Sequence, residues 1–154
     1  MAIVIYHNPD CGTSRNALAM IVASGDNPTV IEYLKTGWTI PQLLGLFAAA
    51  DLTPRTALRT TKSPAEALGL LSPEVTDEAL LDAMIAHPIL VNRPIVCTPK
   101  GVRLCRPSEA VFDLLANPPA EFTKEDGEVI KFHPAKARTG RTVWSSSIKK
   151  WWKQ

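Results

Sequence analysis

Between residues 2 and 33 the hydrophobic pattern changes period twice, and this limits the folds open to the chain more than any other feature. AIVIY, 2 to 6, is β-branched and apolar, the composition of a buried strand. From Thr13 or Ser14 to about Ser24 the spacing turns helical, with Ala17, Leu18, Ile21 and Val22 on one face. Gly25 offers a C-cap, and Asp26, Asn27 and Pro28 stop the helix. TVIEY, 29 to 33, is again strand-like. Strand, helix and strand at this length make a βαβ unit, so the two strands run parallel with a right-handed crossover.

The next stretch is helical. IPQLLGLFAAADL follows Thr39 as N-cap, with Pro41 in the first turn. TPRTAL, 53 to 58, starts a short helix, and SPAEALGL, 63 to 70, repeats the cap-then-proline pattern. TDEALLDAMIAHP, 76 to 88, begins with acidic residues where the helix dipole favours them and ends before Pro88. PIVCT, 94 to 98, and VRLCR, 102 to 106, then flank Pro-Lys-Gly as a hairpin. PSEAVFDLLA, 107 to 116, predicts a final helix. The order βαβ, helical insertion, ββα specifies an α/β chain with a four-stranded mixed sheet, the minimal thioredoxin-like plan. In that plan the loop after the first strand is where a redox cysteine sits.

Cys11 lies in that loop, in HNPDCGTSRN, beside the start of the first helix. Unpaired backbone N–H groups and the positive end of the macrodipole there favour an anion, either the cysteine's own thiolate or an oxyanion bound next to it. A free thiol with pKa about 8.5 can fall to ~3.5–7.5 at such a place. Gly12 allows close backbone approach to a ligand, and Thr13 and Ser14 can cap the helix or hydrogen-bond the sulfur. The polar residues around Cys11 are poor company for a cysteine acting as a small core hydrophobe. His7 either lowers the thiol's pKa when protonated or hydrogen-bonds the loop. The partner position of a C-x-x-C pair is Ser14, so Cys11 can attack or form a mixed disulfide but cannot close a local one, and needs an outside thiol.

Arg59, Arg93 and Arg106 have few acidic neighbours in sequence, and Arg93 is hemmed in by Ile89, Leu90, Val91 and Ile95. The hairpin can bring Arg93 and Arg106 to one end of the sheet. Arginine forks donate in pairs to planar or tetrahedral oxyanions and would also depress a thiol pKa beside them. Strand alternation sends Cys105 to the face opposite Arg106, and Cys97 is expected in the core.

The remaining features narrow the class. Three cysteines, an odd number, argue against a secreted disulfide framework. Without C-x-x-C spacing, and with His7, His87 and His133 scattered, no metal site is expected. No apolar stretch approaches the roughly 20 residues that cross a bilayer, and no signal segment opens the chain, so a cytoplasmic location is expected and a membrane is not. Residues 131–154 hold seven of the 17 basic residues and none of the 15 acidic ones. The expected division is therefore a domain over 1–130 and a basic extension over 131–154, which also holds Trp144, Trp151 and Trp152. That extension either docks its aromatics on the body or makes an electrostatic contact; nucleic acid is not the expected partner.

YHNPDCGTSRN, HPILVNRPIV, RLCRPSE and FTKEDGE together resemble the glutaredoxin-coupled arsenate reductases, over about residues 3 to 130. The resemblance implies a thioredoxin-like fold and a cytoplasmic, monomeric reductase of arsenate. It implies no bound cofactor, glutathione as co-substrate and glutaredoxin as partner. By position it makes Cys11 the nucleophile, His7 its assistant in thiolate formation, and Arg59, Arg93 and Arg106 the arsenate-binding set. It also makes Pro94 a cis-proline facing the thiol. Arg59 sits in ALRT where that family has ALRK or ALLRK, and the ending after Val129 departs from the family's short one. Two other readings remain open. One is a relative that uses the same thiol on another substrate. The other is a thiol-stress regulator that binds RNA polymerase, although such regulators usually carry C-x-x-C.

Overall fold

The computed structural model describes residues 1–132. The chain runs β1 (Val4–His7), α1 (Gly12–Ala23), β2 (Thr29–Glu32), α2 (Tyr33–Thr36), α3 (Ile40–Ala49), α4 (Pro54–Ala57), α5 (Asp77–Ala86), β3 (Ile95–Thr98), β4 (Gly101–Leu104), β5 (Glu121–Thr123) and β6 (Val129–Lys131). Single 3₁₀ segments cover Pro88–Leu90 and Ser108–Leu114. The main sheet has the order β2-β1-β3-β4, with β1 and β2 parallel and the other two pairings antiparallel. This is the mixed thioredoxin-like sheet that the hydrophobic periods specify.

The register decides where chemistry can gather. His7 pairs with Glu32, Tyr6 with Ile95, and Ile95 with Leu104. The residues just beyond those pairs, namely the Asn8–Cys11 loop, Tyr33, Arg93–Pro94 and Cys105–Arg106, therefore leave the sheet at one edge. The Arg93–Pro94 and Arg106–Pro107 peptide bonds at that edge are both cis.

Each face of the sheet is covered by a different part of the chain. On one side α1 and the 108–114 segment bury Ile3, Ile5, Ala17, Met20, Ile21, Val96, Cys105, Val111 and Phe112. On the other, the insertion buries Tyr33, Trp38, Leu43, Phe47, Leu80, Met84, Leu90, Val91 and Ile95. The neighbours Ile95 and Val96 fall on opposite sides, as strand alternation requires. Both α3 and α4 begin with a reciprocal capping box, Thr39 with Gln42 and Thr53 with Thr56, and a proline within the first two positions.

Several local expectations are corrected. SPAEALGL is a run of turns and not a helix. Its hydrogen bonds have mixed spans, from Leu68 N–H to Pro64 O, Gly69 N–H to Glu66 O and Leu70 N–H to Ala65 O. Gly69 at φ +71° then turns the chain. The Arg55 guanidinium holds the segment from outside, donating to the carbonyls of Leu70, Ser72 and Val75 at 2.9, 3.1 and 2.8 Å. The expected helix at 107–116 is 3₁₀ over Ser108–Leu114. Cys97 is half-buried, while Cys105 is fully buried on the α1 side. The short α2 and the β5–β6 hairpin are additional elements. β6 ends at Lys131, and Phe132 N–H donates to Ala120 O while its ring meets Phe112 edge-on at 5.5 Å, so the body runs past residue 130. The basic extension otherwise lies outside the described residues.

Candidate functional site

The loop that carries Cys11 is built from short-range hydrogen bonds. Asp10 N–H donates to Asn8 Oδ1 at 2.9 Å, and Cys11 N–H donates to Asn8 O at 3.1 Å. Cys11 is the N-cap of α1, in extended geometry, and its carbonyl accepts the first helical bond from Arg15 N–H at 2.9 Å. The Ser14 side chain is expected near the sulfur, but it is committed elsewhere. Its Oγ accepts from Asn8 N–H at 3.1 Å and lies 2.6 Å from His7 Nδ1. Ser14 is completely buried and braces the loop.

Cys11 is nearly buried, yet it belongs to neither apolar cluster. Its neighbours are polar and cationic. Arg106 Nη1 reaches its Sγ at 3.8 Å and also donates to Arg93 O at 3.0 Å. Burial pushes the thiol pKa up. The Ser14 backbone N–H, the Arg93 charge, the Arg106 hydrogen bond and the Thr13 backbone N–H outweigh this and bring it below the ordinary value. The helix start and two arginines therefore favour the thiolate together, which is the arrangement the sequence predicts.

His7 contributes differently. Burial depresses its imidazole pKa, Glu32 opposes this, and Arg15 adds to it. The shift favours the neutral ring over the imidazolium. His7 Nδ1 makes the expected hydrogen bond to the loop, at Ser14 Oγ.

Arg59 arrives from the insertion. Leu58 and Val91 form an isolated antiparallel bridge, flanked by Arg59 N–H to Leu90 O at 2.7 Å and Asn92 N–H to Ala57 O at 2.8 Å. This short pairing brings Arg59 alongside the segment that ends in Arg93. Burial lowers the Arg59 pKa, and the neighbouring Arg93 charge lowers it further. Arg59 Nε donates to Thr61 O at 3.1 Å, and Arg93 Nη1 to Asn92 Oδ1 at 3.1 Å. Among the described residues none of Arg59, Arg93 and Arg106 forms an ion pair with a carboxylate. Arg59 and Arg93 are buried while Arg106 is exposed beside them. Unpaired buried charge is expensive, so the favourable partner for this pair, with Arg106 at its rim, is a small multivalent anion.

Two further groups border the site, Tyr33, which the sequence did not single out, and the FTKEDGE turn, which it marked only as a motif. Tyr33, the first residue after β2, is fully buried and shares the edge where the Cys11 loop leaves β1. The parallel pairing could have pointed to it, because the carboxyl ends of β1 and β2 must lie together. The turn of the β5–β6 hairpin meets the start of α1. Arg15 Nε pairs with Glu125 Oε2 at 2.9 Å, and Glu125 N–H donates to Asn16 Oδ1 at 3.1 Å. The FTKEDGE motif, whose Glu125 makes these contacts, is thus part of the frame around Cys11. Among the described residues there is no group of three His, Cys, Asp or Glu that could hold a metal ion, and no helix is long and apolar enough to cross a membrane.

The chain is similar to several known proteins. The arsenate reductase ArsI2 of Synechocystis sp. is 74% identical over 129 residues, which span 83% of this chain and 92% of that protein. An Escherichia coli arsenate reductase is 54% identical over 129 residues, 83% of this chain and 92% of its own length. Among solved structures, an arsenate reductase from Vibrio cholerae superposes with a TM-score of 0.71 at 38% identity, covering 75% of this chain and 98% of that one. The ArsC family profile matches residues 6–114, from the strand before the cysteine loop to the end of the 3₁₀ segment after Arg106. A lone thiol at a helix start, faced by arginines from three separate segments, is set within that match, and the chain belongs to the ArsC family.

Proposed function

We propose that the protein is a cytoplasmic arsenate reductase that uses glutathione and glutaredoxin. The observation that carries this reading is the contact of Arg106 with both the Cys11 sulfur and the Arg93 carbonyl, because it sets an anion-binding fork against a sulfur that favours the thiolate. The curated relatives named arsenate reductase support the choice of arsenate. Ser14, fixed on His7 and Asn8, leaves Cys11 without a local resolving thiol, and this supports an external one.

In this mechanism arsenate docks on Arg59, Arg93, Arg106 and the first amides of α1. The Cys11 thiolate attacks arsenic, an S–As bond forms, and an arsenate oxygen leaves as water after protonation. A glutathione thiol displaces a second oxygen in the same way. A glutaredoxin thiolate then attacks the glutathione sulfur, forming the mixed disulfide. The S–As electron pair stays on arsenic, so As(V) becomes As(III). Hydrolysis of the remaining S–As bond frees arsenite and Cys11.

The test is NADPH oxidation coupled through glutathione reductase, glutathione and glutaredoxin, with and without arsenate. Turnover should require arsenate and vanish in Cys11→Ser. Arsenate-independent turnover, or none with purified partners, would refute the proposal. Alanine at Arg59 should chiefly raise KM, whereas alanine at Arg93 or Arg106, which also favour the Cys11 thiolate, should raise KM and lower kcat at neutral pH.

A further inference from the structure

Two buried side-chain atoms at the arginine edge have no hydrogen-bond partner within the described residues, Tyr33 Oη and Arg93 Nε. A buried donor without an acceptor is costly and calls for an explanation. The phenol cannot relieve this by turning to solvent. Its ring is stacked on Trp38 with centroids 5.0 Å apart at 27°, and Tyr33 is only 1% exposed. It lies in the cluster with Ala57, Leu58, Leu90 and Val91, the residues that lead into Arg59 and Arg93.

The Asn8 side chain nearby does not take the hydroxyl proton. Asn8 Oδ1 is engaged by Asp10 N–H, Asn8 acts on the phenol oxygen in the sense that favours phenolate, and no hydrogen bond from the hydroxyl is formed to it. The O–H proton is left without an acceptor. Burial holds the phenol pKa up, at about 12, against the Arg93 and Arg59 charges, so the group is a neutral donor at any working pH. Two of the charges of the anion site, those of Arg93 and Arg59, bear on this oxygen, as does the Cys11 thiolate.

We propose that Tyr33 is a substrate ligand, its O–H donating to an oxygen of the bound oxyanion beside Arg93 Nε–H. This deepens the arsenate reading and rests on it. A tetrahedral anion is acceptor-only and has lone pairs to spare for both orphan donors. A phenol suits the place because it adds a hydrogen bond without adding a fourth positive charge to a site where Arg59 and Arg93 already repel each other.

The test is Tyr33→Phe in the full chain, which keeps the ring and its stack. KM for arsenate should rise about 10-fold or more, the usual loss for a hydrogen bond to a charged group, with kcat little changed and the melting temperature the same or higher. Unchanged KM with wild-type turnover overturns the Tyr33 role and leaves the reductase reading standing; so does a lowered melting temperature with unchanged KM, which marks a packing role. If the wild type shows no turnover, calorimetry with arsenate separates the two ideas. Weaker binding by Tyr33→Phe than by wild type supports the ligand role alone, equal binding overturns it, and no binding by the wild type overturns both. A second measurement leaves position 33 intact. The chain has only two tyrosines, so fluorotyrosine labelling with Tyr6→Phe as the assignment gives a ¹⁹F resonance for Tyr33. It should shift on arsenate titration, and a static signal would overturn the proposal.

Discussion

Arg106 and Ser14 separate two jobs that are usually merged in descriptions of a reactive cysteine: lowering the thiol pKa and holding the loop that presents it. Arg106 shares the first with the Ser14 backbone N–H and the Arg93 charge, through its contact with Sγ. Replacing it with Leu should move the pH midpoint of Cys11 alkylation by iodoacetamide upward. Alkylation follows the thiolate, so the wild-type rate should climb with pH through a midpoint below the ordinary ~8.5, and the variant's curve should lie to its alkaline side. Coincident curves would show that the helix start and the Arg93 charge set the thiolate without Arg106. Ser14 does the second. Ser14→Ala leaves His7 Nδ1 and Asn8 N–H, both buried, without their shared partner. The cost should be about 2 kcal/mol of folding stability in urea titration, while the alkylation midpoint moves little because the backbone N–H of residue 14 remains.

At the scale of elements, Arg55 organises what the local sequence leaves undecided. Three carbonyls between residues 70 and 75 depend on its guanidinium. Arg55→Met keeps a long apolar stem but removes those donors, so amide exchange should accelerate across residues 64–75 while β1 and β3 stay protected. Uniform loss of protection would mean that the segment is integral to global folding. The same residue shows what a sequence can and cannot display. β1, α1, β2 and the β3–β4 hairpin were legible because their periods are local, and strand alternation was enough to send Cys105 and Arg106 to different surroundings. SPAEALGL has a helix's cap and proline, but the decisive partner lies up to 20 residues upstream. The β5 and β6 strands are three residues each, too short to show a period. In the site, Cys11 and the three arginines stood out by chemistry. Tyr33 did not, because a strand-ending tyrosine beside apolar residues looks like core until the register places it at the loop edge.

Across the whole molecule the cysteines impose opposing pH dependences. Burial raises the Cys105 pKa to about 12 and that of Cys97 to about 11. An unfolded thiol ionises near ~8.5. Below that pH both thiols are protonated in either state, and their contribution to stability is complete. Above it the unfolded chain releases a proton that the folded chain keeps, so stability declines until the folded pKa is passed. Cys11 runs the other way: its folded pKa is lowered, so its contribution is present above the unfolded value and is lost as pH falls through the folded one. A difference experiment isolates one thiol from the rest. Cys105→Ala removes a completely buried group, and its stability relative to wild type should improve with pH between about 9 and 11, by on the order of 1 kcal/mol per pH unit. Urea titrations at three pH values in a reducing buffer would measure this. A constant offset between the two proteins, the signature of a cavity alone, would show that the buried thiol does not govern the alkaline limit of the fold.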